Sequence, residues 1–183
     1  MITKTDGRLS EDFIKKAREI RLAAFDVDGI MTDGSLYLGD NGEEIKAFHS
    51  LDGHGLKMLK ASGIDLAIIT ARTSELVKHR AENIGVSHIY QGAENKLDSF
   101  QDLLQKLNLK PSQVAYMGDD LVDLPVLTRC GLSICVPHSP EEVKKRTDLT
   151  TSLNGGHGAV REFCDLLMLA QGSYEEQLKK YLE

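Results

Sequence analysis

The chain lacks any apolar run of about 18 residues or more, so no segment is suited to cross a bilayer as a helix. Met1 to Ser10 is polar and has no apolar stretch of the kind a secretion signal needs. Positive charge is scarce: 22 Lys and Arg stand against 28 Asp and Glu, a formal charge of -6. That balance argues against nucleic acid as a partner, because such binding relies on cations at phosphates. It leaves room for an anionic small substrate, since a few local cations and a metal override net charge. Only three cysteines occur, Cys130, Cys135 and Cys164, with no Cys-x-x-Cys, which reads as free thiols in a reducing cytoplasm. The six histidines show no His-x-His or His-x-x-x-His pairing, so a zinc site is not expected. With no repeats and no low-complexity linker, 183 residues fit one domain, 1–183.

What is present alternates. Ser10 can cap a helix running to about Ile20, and Leu22 to Val27 is a short apolar run that stops at acids, as a central parallel strand does. Ser35 to Gly39 and Glu43 to Phe48 flank Asp40-Asn41-Gly42, a hairpin signal, giving a small flap at about 30–50. Then come a helix over Leu56 to Ala61, a strand Leu66 to Ile69, a helix Ser74 to Ile84 and a strand His88 to Tyr90. A helix Leu97 to Leu107, a strand Val114 to Met117, a short helix Val122 to Arg129 and a strand Leu132 to Val136 follow. A last helix over Ala159 to Ala170 leads into a charged tail. Strands alternating with helices predict an α/β fold with a doubly wound parallel sheet.

Four sequence-distant pieces fall at or near the ends of these strands: Asp26-Val27-Asp28-Gly29, Thr70, Asn95-Lys96, and Gly118-Asp119-Asp120 through Asp123. In an open α/β sheet, ligands bind along the carboxyl rim of the strands. On a regular strand Asp26 and Asp28 share one face, where two carboxylates repel unless a cation compensates. Mg²⁺ suits them, because it prefers oxygen ligands and accepts substrate phosphate; Asp119 can add a third oxygen. Phosphoryl transfer needs mainly such charge stabilisation. Asp26 is then the nucleophile and Asp28 the acid that protonates the leaving alcohol and later the base that activates water. Thr70 offers a hydroxyl to the phosphoryl group, Lys96 holds Asp26 ionised, and Asp123 organises metal-bound water. Asp120 reads as a plain helix cap.

These motifs resemble those of the haloacid dehalogenase superfamily of phosphohydrolases. The resemblance implies a Rossmann-like fold, obligatory Mg²⁺ held by the Asp26 carboxylate, the Asp28 main-chain carbonyl and the Asp119 carboxylate, and transfer from an alcohol oxygen rather than dehalogenation. From about Leu22 to Gly172, including Asp52-Gly53-His54-Gly55-Leu56, Ile69-Thr70-Ala71-Arg72 and Gly155-Gly156-His157-Gly158, the chain is similar to members acting on a phosphorylated eight-carbon 2-keto sugar acid of lipopolysaccharide synthesis. That likeness implies substrate contacts from Asp28, His49, Ser50, Leu51, Asp52, Gly53, Lys57, Arg72, Arg80 and Lys96. Arg72 and Arg80 are two helical turns apart and can face one anion, although Arg80 also reads as an ordinary helix arginine. Leu51 and Lys57 stand where several relatives carry arginine, and lysine lacks the fork that grips a carboxylate. A nine-carbon 2-keto sugar acid 9-phosphate is therefore the alternative substrate.

The chain has no room for a separate cap domain between Asp28 and Thr70 or between Lys96 and Asp119, and an open site would leave the intermediate in bulk water. The resemblance implies a homotetramer in which flaps pack together and a neighbour covers each site. The tail, about 153–183, is expected to cross to a neighbour through a mobile Gly155-Gly156-His157-Gly158 loop, with His157 and Arg161 as its polar contacts; a ligand-free helix-start loop is the other reading. A receiver domain of a response regulator is disfavoured because its acids and lysine come in a different order. A catalytically idle oligomeric scaffold is disfavoured because every motif residue is present.

Overall fold

The computed structural model describes residues 9–182; most of the Met1 to Ser10 reading lies outside them. Helix α1 (Glu11–Glu19) begins where Ser10 accepts a hydrogen bond from the Phe13 N–H, and it leads into β1 (Leu22–Phe25). The flap is β2 (Tyr37–Leu38) paired antiparallel with β3 (Glu44–Ile45). Its turn spans three residues, Asp40, Asn41 and Gly42, closed by Gly39 and Glu43, with Gly42 taking the left-handed position such a loop requires.

Next come α2 (Ser50–Ala61), β4 (Asp65–Ile69), α3 (Glu75–Ile84), β5 (His88–Tyr90), α4 (Lys96–Leu107) and β6 (Val114–Met117). A 3₁₀ turn, Leu121–Asp123, precedes α5 (Leu124–Leu127), then β7 (Leu132–Cys135), α6 (Glu141–Lys144), β8 (Leu149–Thr150), α7 (Ala159–Gln171) and α8 (Tyr174–Lys179). The sheet runs β5-β4-β1-β6-β7-β8 and every pair in it is parallel.

Alternating strand residues supply the two faces. Ala23, Phe25, Leu66, Ile68, Ala115 and Met117 pack with α1, α2, α3 and α7, whereas Leu22, Ala24, Ala67, Ile69, Val114 and Tyr116 pack with α4, α5 and α6. Among the described residues no helix is long and apolar enough to cross a membrane.

Several expectations change. The first strand ends at Phe25 rather than Val27, because the Val27 carbonyl accepts hydrogen bonds from the N–H groups of Ile30, Met31 and Thr32 in a tight turn. Helix α2 starts nearly two turns before Leu56. Gly53 and Gly55 weaken the local helical signal, but they are buried where Arg80 and Arg161 cross closely: a Cβ on either would lie 2.1 or 2.6 Å from those side chains. Between Val122 and Arg129 the regular helix is only the single turn of α5. Elements α6 and β8 are too short to carry a periodic signal.

The charged tail folds back on its own chain. Gln177 donates to the Ala61 carbonyl at 3.3 Å, and Tyr181 meets His54 edge to face. The Gly155–Gly158 loop packs on the turn after β1, with the Gly156 N–H on the Ile30 carbonyl at 3.0 Å.

Candidate active site

Three adjacent strands end at one point on the rim. β1 delivers Asp26, β4 delivers Thr70 and β6 delivers Gly118 and Asp119, while Lys96 is the first residue of α4. Strand pairing continues one residue past these ends: the Asp26 N–H donates to the Met117 carbonyl, and the Thr70 N–H to the Tyr90 carbonyl, both at 2.9 Å. The main chain that carries the reactive groups is thus as fixed as the sheet. Thr70 is buried at the rim.

At the centre, Lys96 lies between two acids, 2.8 Å from Asp26 Oδ2 and 2.6 Å from Asp123 Oδ1, and is 2% exposed. Burial opposes its charge, but Asp26 and Asp123 outweigh that cost and raise the pKa, so the ammonium is firmly held. Asp123 is fully buried and saturated. Its Oδ1 accepts from Lys96 Nζ and from the Tyr116 hydroxyl at 2.7 Å, and its Oδ2 accepts from the Asp119 and Asp120 N–H groups at 3.0 and 3.2 Å. It therefore acts as a strut between the lysine and the Asp119 loop and has no oxygen left over to direct a water. Asp120 caps the 3₁₀ turn through the Leu121 N–H.

Asp26 accepts from the Val27 N–H at 2.6 Å; burial first, then the Asp123 charge, push its pKa from 3.8 to about 6 against the pull of Lys96. Asp119 rises further, to about 7, through burial and then the charges of Asp26 and Asp123. Carboxylate oxygens of Asp26, Asp119 and Asp123 lie within 4.8 Å of one another, and among the described residues only Lys96 balances them. Three acids facing one ammonium fit a divalent cation held by oxygen. Gly29 shapes the cradle: its φ is +86°, and a Cβ there would lie 2.2 Å from Asp119 Oδ2. Because Asp123 is saturated, Asp26 and Asp119 are the acids with oxygen lone pairs to spare.

Asp28 does not share a face with Asp26, because the chain has already turned. Its carboxylate joins a different group in which Lys46 Nζ bonds Asp28 Oδ1 and lies 3.3 Å from Glu44 Oε1. Arg72 Nη2 meets the same Glu44 oxygen at 3.0 Å, and Arg72 Nε lies 3.9 Å from Asp28 Oδ2. Lys46 carries no motif in the sequence. The signal was the alternation after the hairpin, which turns Glu44, Lys46 and Phe48 inward and exposes Ile45 and Ala47.

The other expected substrate contacts are spread along α2 and α3. Arg80 stacks over Phe48 at 5.7 Å and donates to the His49 carbonyl at 3.2 Å, while its Nε and His49 Nδ1 are buried without a partner. Ser50, Leu51 and Lys57 are exposed, and Gly53 is buried beneath Arg80. Asp52 is 2% exposed and turned into the protein, where Oδ1 accepts from the Arg161 N–H at 2.8 Å in the first turn of α7. Burial raises its pKa. Arg161 pairs with Asp165 at 2.8 Å on its own helix, and Gly155 packs on Gly29, where a Cβ would fall 1.7 Å from the Gly29 carbonyl oxygen. Beside Asp119 opens a cleft of about 480 Å³ walled by Ser35, His138, Asn154 and His157.

Residues 41–131 match the family described as haloacid dehalogenase-like hydrolase. The chain is 50% identical over 170 residues to the 3-deoxy-D-manno-octulosonate 8-phosphate phosphatase KdsC of Escherichia coli K12, covering 93% of this chain and 90% of that protein. It belongs to the haloacid dehalogenase-like hydrolases. Two solved structures of such hydrolases superpose closely. A probable YrbI family phosphatase from Pseudomonas syringae pv. phaseolica is 47% identical, with a TM-score of 0.93 over 95% of this chain and 99% of that one. The 3-deoxy-D-manno-octulosonate 8-phosphate phosphatase of Moraxella catarrhalis, solved with magnesium, phosphate and KDO, is 44% identical, with a TM-score of 0.91 over 93% of this chain and 98% of that one.

Proposed function

We propose that the chain is a Mg²⁺-dependent phosphatase that hydrolyses 3-deoxy-D-manno-octulosonate 8-phosphate to the free sugar acid and phosphate in lipopolysaccharide synthesis. The observation that carries this reading is the buried Asp26–Lys96–Asp123 cluster with Asp119 beside it, on the rim of three adjacent strands. Half-identity to a phosphatase of that substrate names the sugar.

Asp26, Asp119 and the Asp28 main-chain carbonyl would hold the Mg²⁺, which when bound neutralises the non-reacting phosphate oxygens. Lys96 keeps the Asp26 carboxylate ionised and holds its Oδ2 while the Val27 N–H holds Oδ1, so the nucleophile is fixed through both oxygens. In the first step an Asp26 oxygen bonds to phosphorus, the bond from phosphorus to the sugar oxygen breaks, and Asp28 gives that oxygen its proton. In the second, Asp28 takes a proton from water, the water oxygen bonds to phosphorus, and the Asp26–phosphorus linkage breaks to restore the carboxylate. Thr70 binds the phosphoryl group, and His49, Ser50, Leu51, Lys57, Arg72 and Arg80 surround the sugar acid, while Asp52 and Gly53 shape that wall from beneath.

The single domain works as a homotetramer. The flap exposes Tyr37, Leu38 and Ile45 on strands of two residues each, and Leu36 just before them, too little to stand alone in water, which supports burial against other flaps. The free thiols Cys130, Cys135 and Cys164 support a cytoplasmic setting.

Phosphate release from a panel of sugar phosphates, with Mg²⁺ and with chelator, beside Asp26→Asn, tests the function. Mg²⁺-dependent turnover strongest on the eight-carbon acid and lost in the variant is expected. Preference for a nine-carbon acid would move the pathway, and no turnover on any substrate would leave an idle scaffold.

A further inference from the structure

Lys46 sits one residue beyond β3, in the segment that carries the flap back to α2, yet its side chain is only 2% exposed. A lysine is rarely enclosed so fully unless it is paired. Its two partners are Asp28, the group that moves the proton, and Glu44 on the flap strand. Glu44 also holds Arg72, and Arg72 leans back toward Asp28, so four side chains form a closed ring of alternating charge. The Asp28 carboxylate is 21% exposed and follows a turn, so nothing in its own segment fixes its rotamer. Lys46 is the contact that does.

We infer that Lys46 is a positioning residue: by gripping Asp28 Oδ1 it aims the other carboxylate oxygen at the leaving group and links the flap's placement to proton transfer. The inference rests on Asp28 being the acid and base of the phosphatase reaction. In the first step the proton passes from Asp28 to the sugar oxygen as its bond to phosphorus breaks; Lys46 neither gains nor loses a proton. General acid catalysis is worth about 10²–10⁴-fold, and an acid left free to swing forfeits part of that.

The test compares two substrates under saturating Mg²⁺: the sugar-acid phosphate, whose alkoxide must be protonated, and 4-nitrophenyl phosphate, whose phenolate leaves unaided. Only steps through formation of the aspartyl phosphate enter kcat/KM, so the later use of Asp28 as a base does not blur the comparison. Lys46→Met is expected to lower kcat/KM on the sugar phosphate by roughly 30-fold and on the aryl phosphate by less than about 3-fold. Placed on Asp28→Asn, it is expected to add less than about 2-fold on the sugar phosphate, since its effect runs through that carboxyl. Equal losses on both substrates, full additivity with Asp28→Asn, or a raised KM at unchanged kcat would each overturn the inference, the last making Lys46 a ligand of the substrate. If Asp28→Asn itself shows no difference between the substrates, the acid role falls and the inference with it, which is a distinguishable result. Should Lys46→Met unsettle the flap, as a lowered melting temperature would reveal, Lys46→Gln must give the same split between substrates.

Discussion

Asp119 gives the site a stability signature that is measurable without substrate. Its carboxyl rises from 3.8 to about 7 in the folded protein. Below about pH 4 folded and unfolded chains both hold the proton and the residue is neutral to stability. Between pH 4 and 7 the folded state keeps a proton that the unfolded chain has released, so each pH unit costs the metal-free fold about 1.4 kcal/mol. Above pH 7 the full penalty stands, on the order of 4 kcal/mol. Asp119→Asn has the same shape without the charge, so chelated variant and wild type should melt together near pH 4 and diverge as pH rises. At pH 8 the variant should be the more stable by roughly 10 °C, given about 2–4 °C per kcal/mol for a chain of this size. Mg²⁺ at pH 8 should return the wild type to or above the variant and leave the variant almost unmoved, because the ion replaces the missing counter-charge only where the carboxylate is present. Differential scanning calorimetry from pH 4 to 8.5, with chelator and with Mg²⁺, reads both effects. A chelated wild type as stable as Asp119→Asn at pH 8 would refute the picture of an under-compensated acid cluster.

Two other outcomes follow from the same geometry. Gly29→Ala places a Cβ 2.2 Å from Asp119 Oδ2 at a φ of +86°, so it should weaken Mg²⁺ binding at least about 10-fold by titration calorimetry while the fold persists. Asp123→Asn turns an amide N–H₂ toward either the Lys96 and Tyr116 donors or the two backbone donors. It should cost about 3–5 kcal/mol of stability in urea unfolding, with phosphatase activity falling alongside because Lys96 loses one of its two anchors.

The reach of sequence reading divides along a physical line. Central parallel strands buried on both faces appear as short apolar runs ending at polar residues, so β1, β4 and β6, and with them Asp26, Thr70 and Asp119, were legible as strand ends on one rim. Lys96 was legible only as part of the Asn95-Lys96 pair ahead of a helix read from Leu97; the helix begins at Lys96 itself, with Asn95 as its cap. What escaped depends on contacts between distant segments. Tyr116 looks like one more apolar residue of β6, and only the fold shows its hydroxyl on Asp123. Lys46 looks like a solvated flap lysine until the hairpin folds it onto Asp28. Asp52 carries a motif that points to the substrate, yet its carboxyl closes the first turn of another helix. The loop of three glycines suggested mobility. Two of them, Gly155 and Gly156, instead allow backbone to meet backbone at Gly29 and Thr32, which is the opposite use of a missing side chain.

That last contact affects how the protein comes into being. The turn bearing Asp26 and Asp28 leaves the ribosome early, but the piece packed on it comes late, Gly155 against Gly29, as does the start of α7 that meets Asp52 on α2, 109 positions apart. Such distant pairings close slowly, and synthesis proceeds at about 5–20 residues per second. For several seconds the growing chain displays the reactive aspartates without their support. A chain interrupted before α7 docks on α2 therefore carries the motifs and the strand pairing but lacks the late contacts at Gly29 and Asp52.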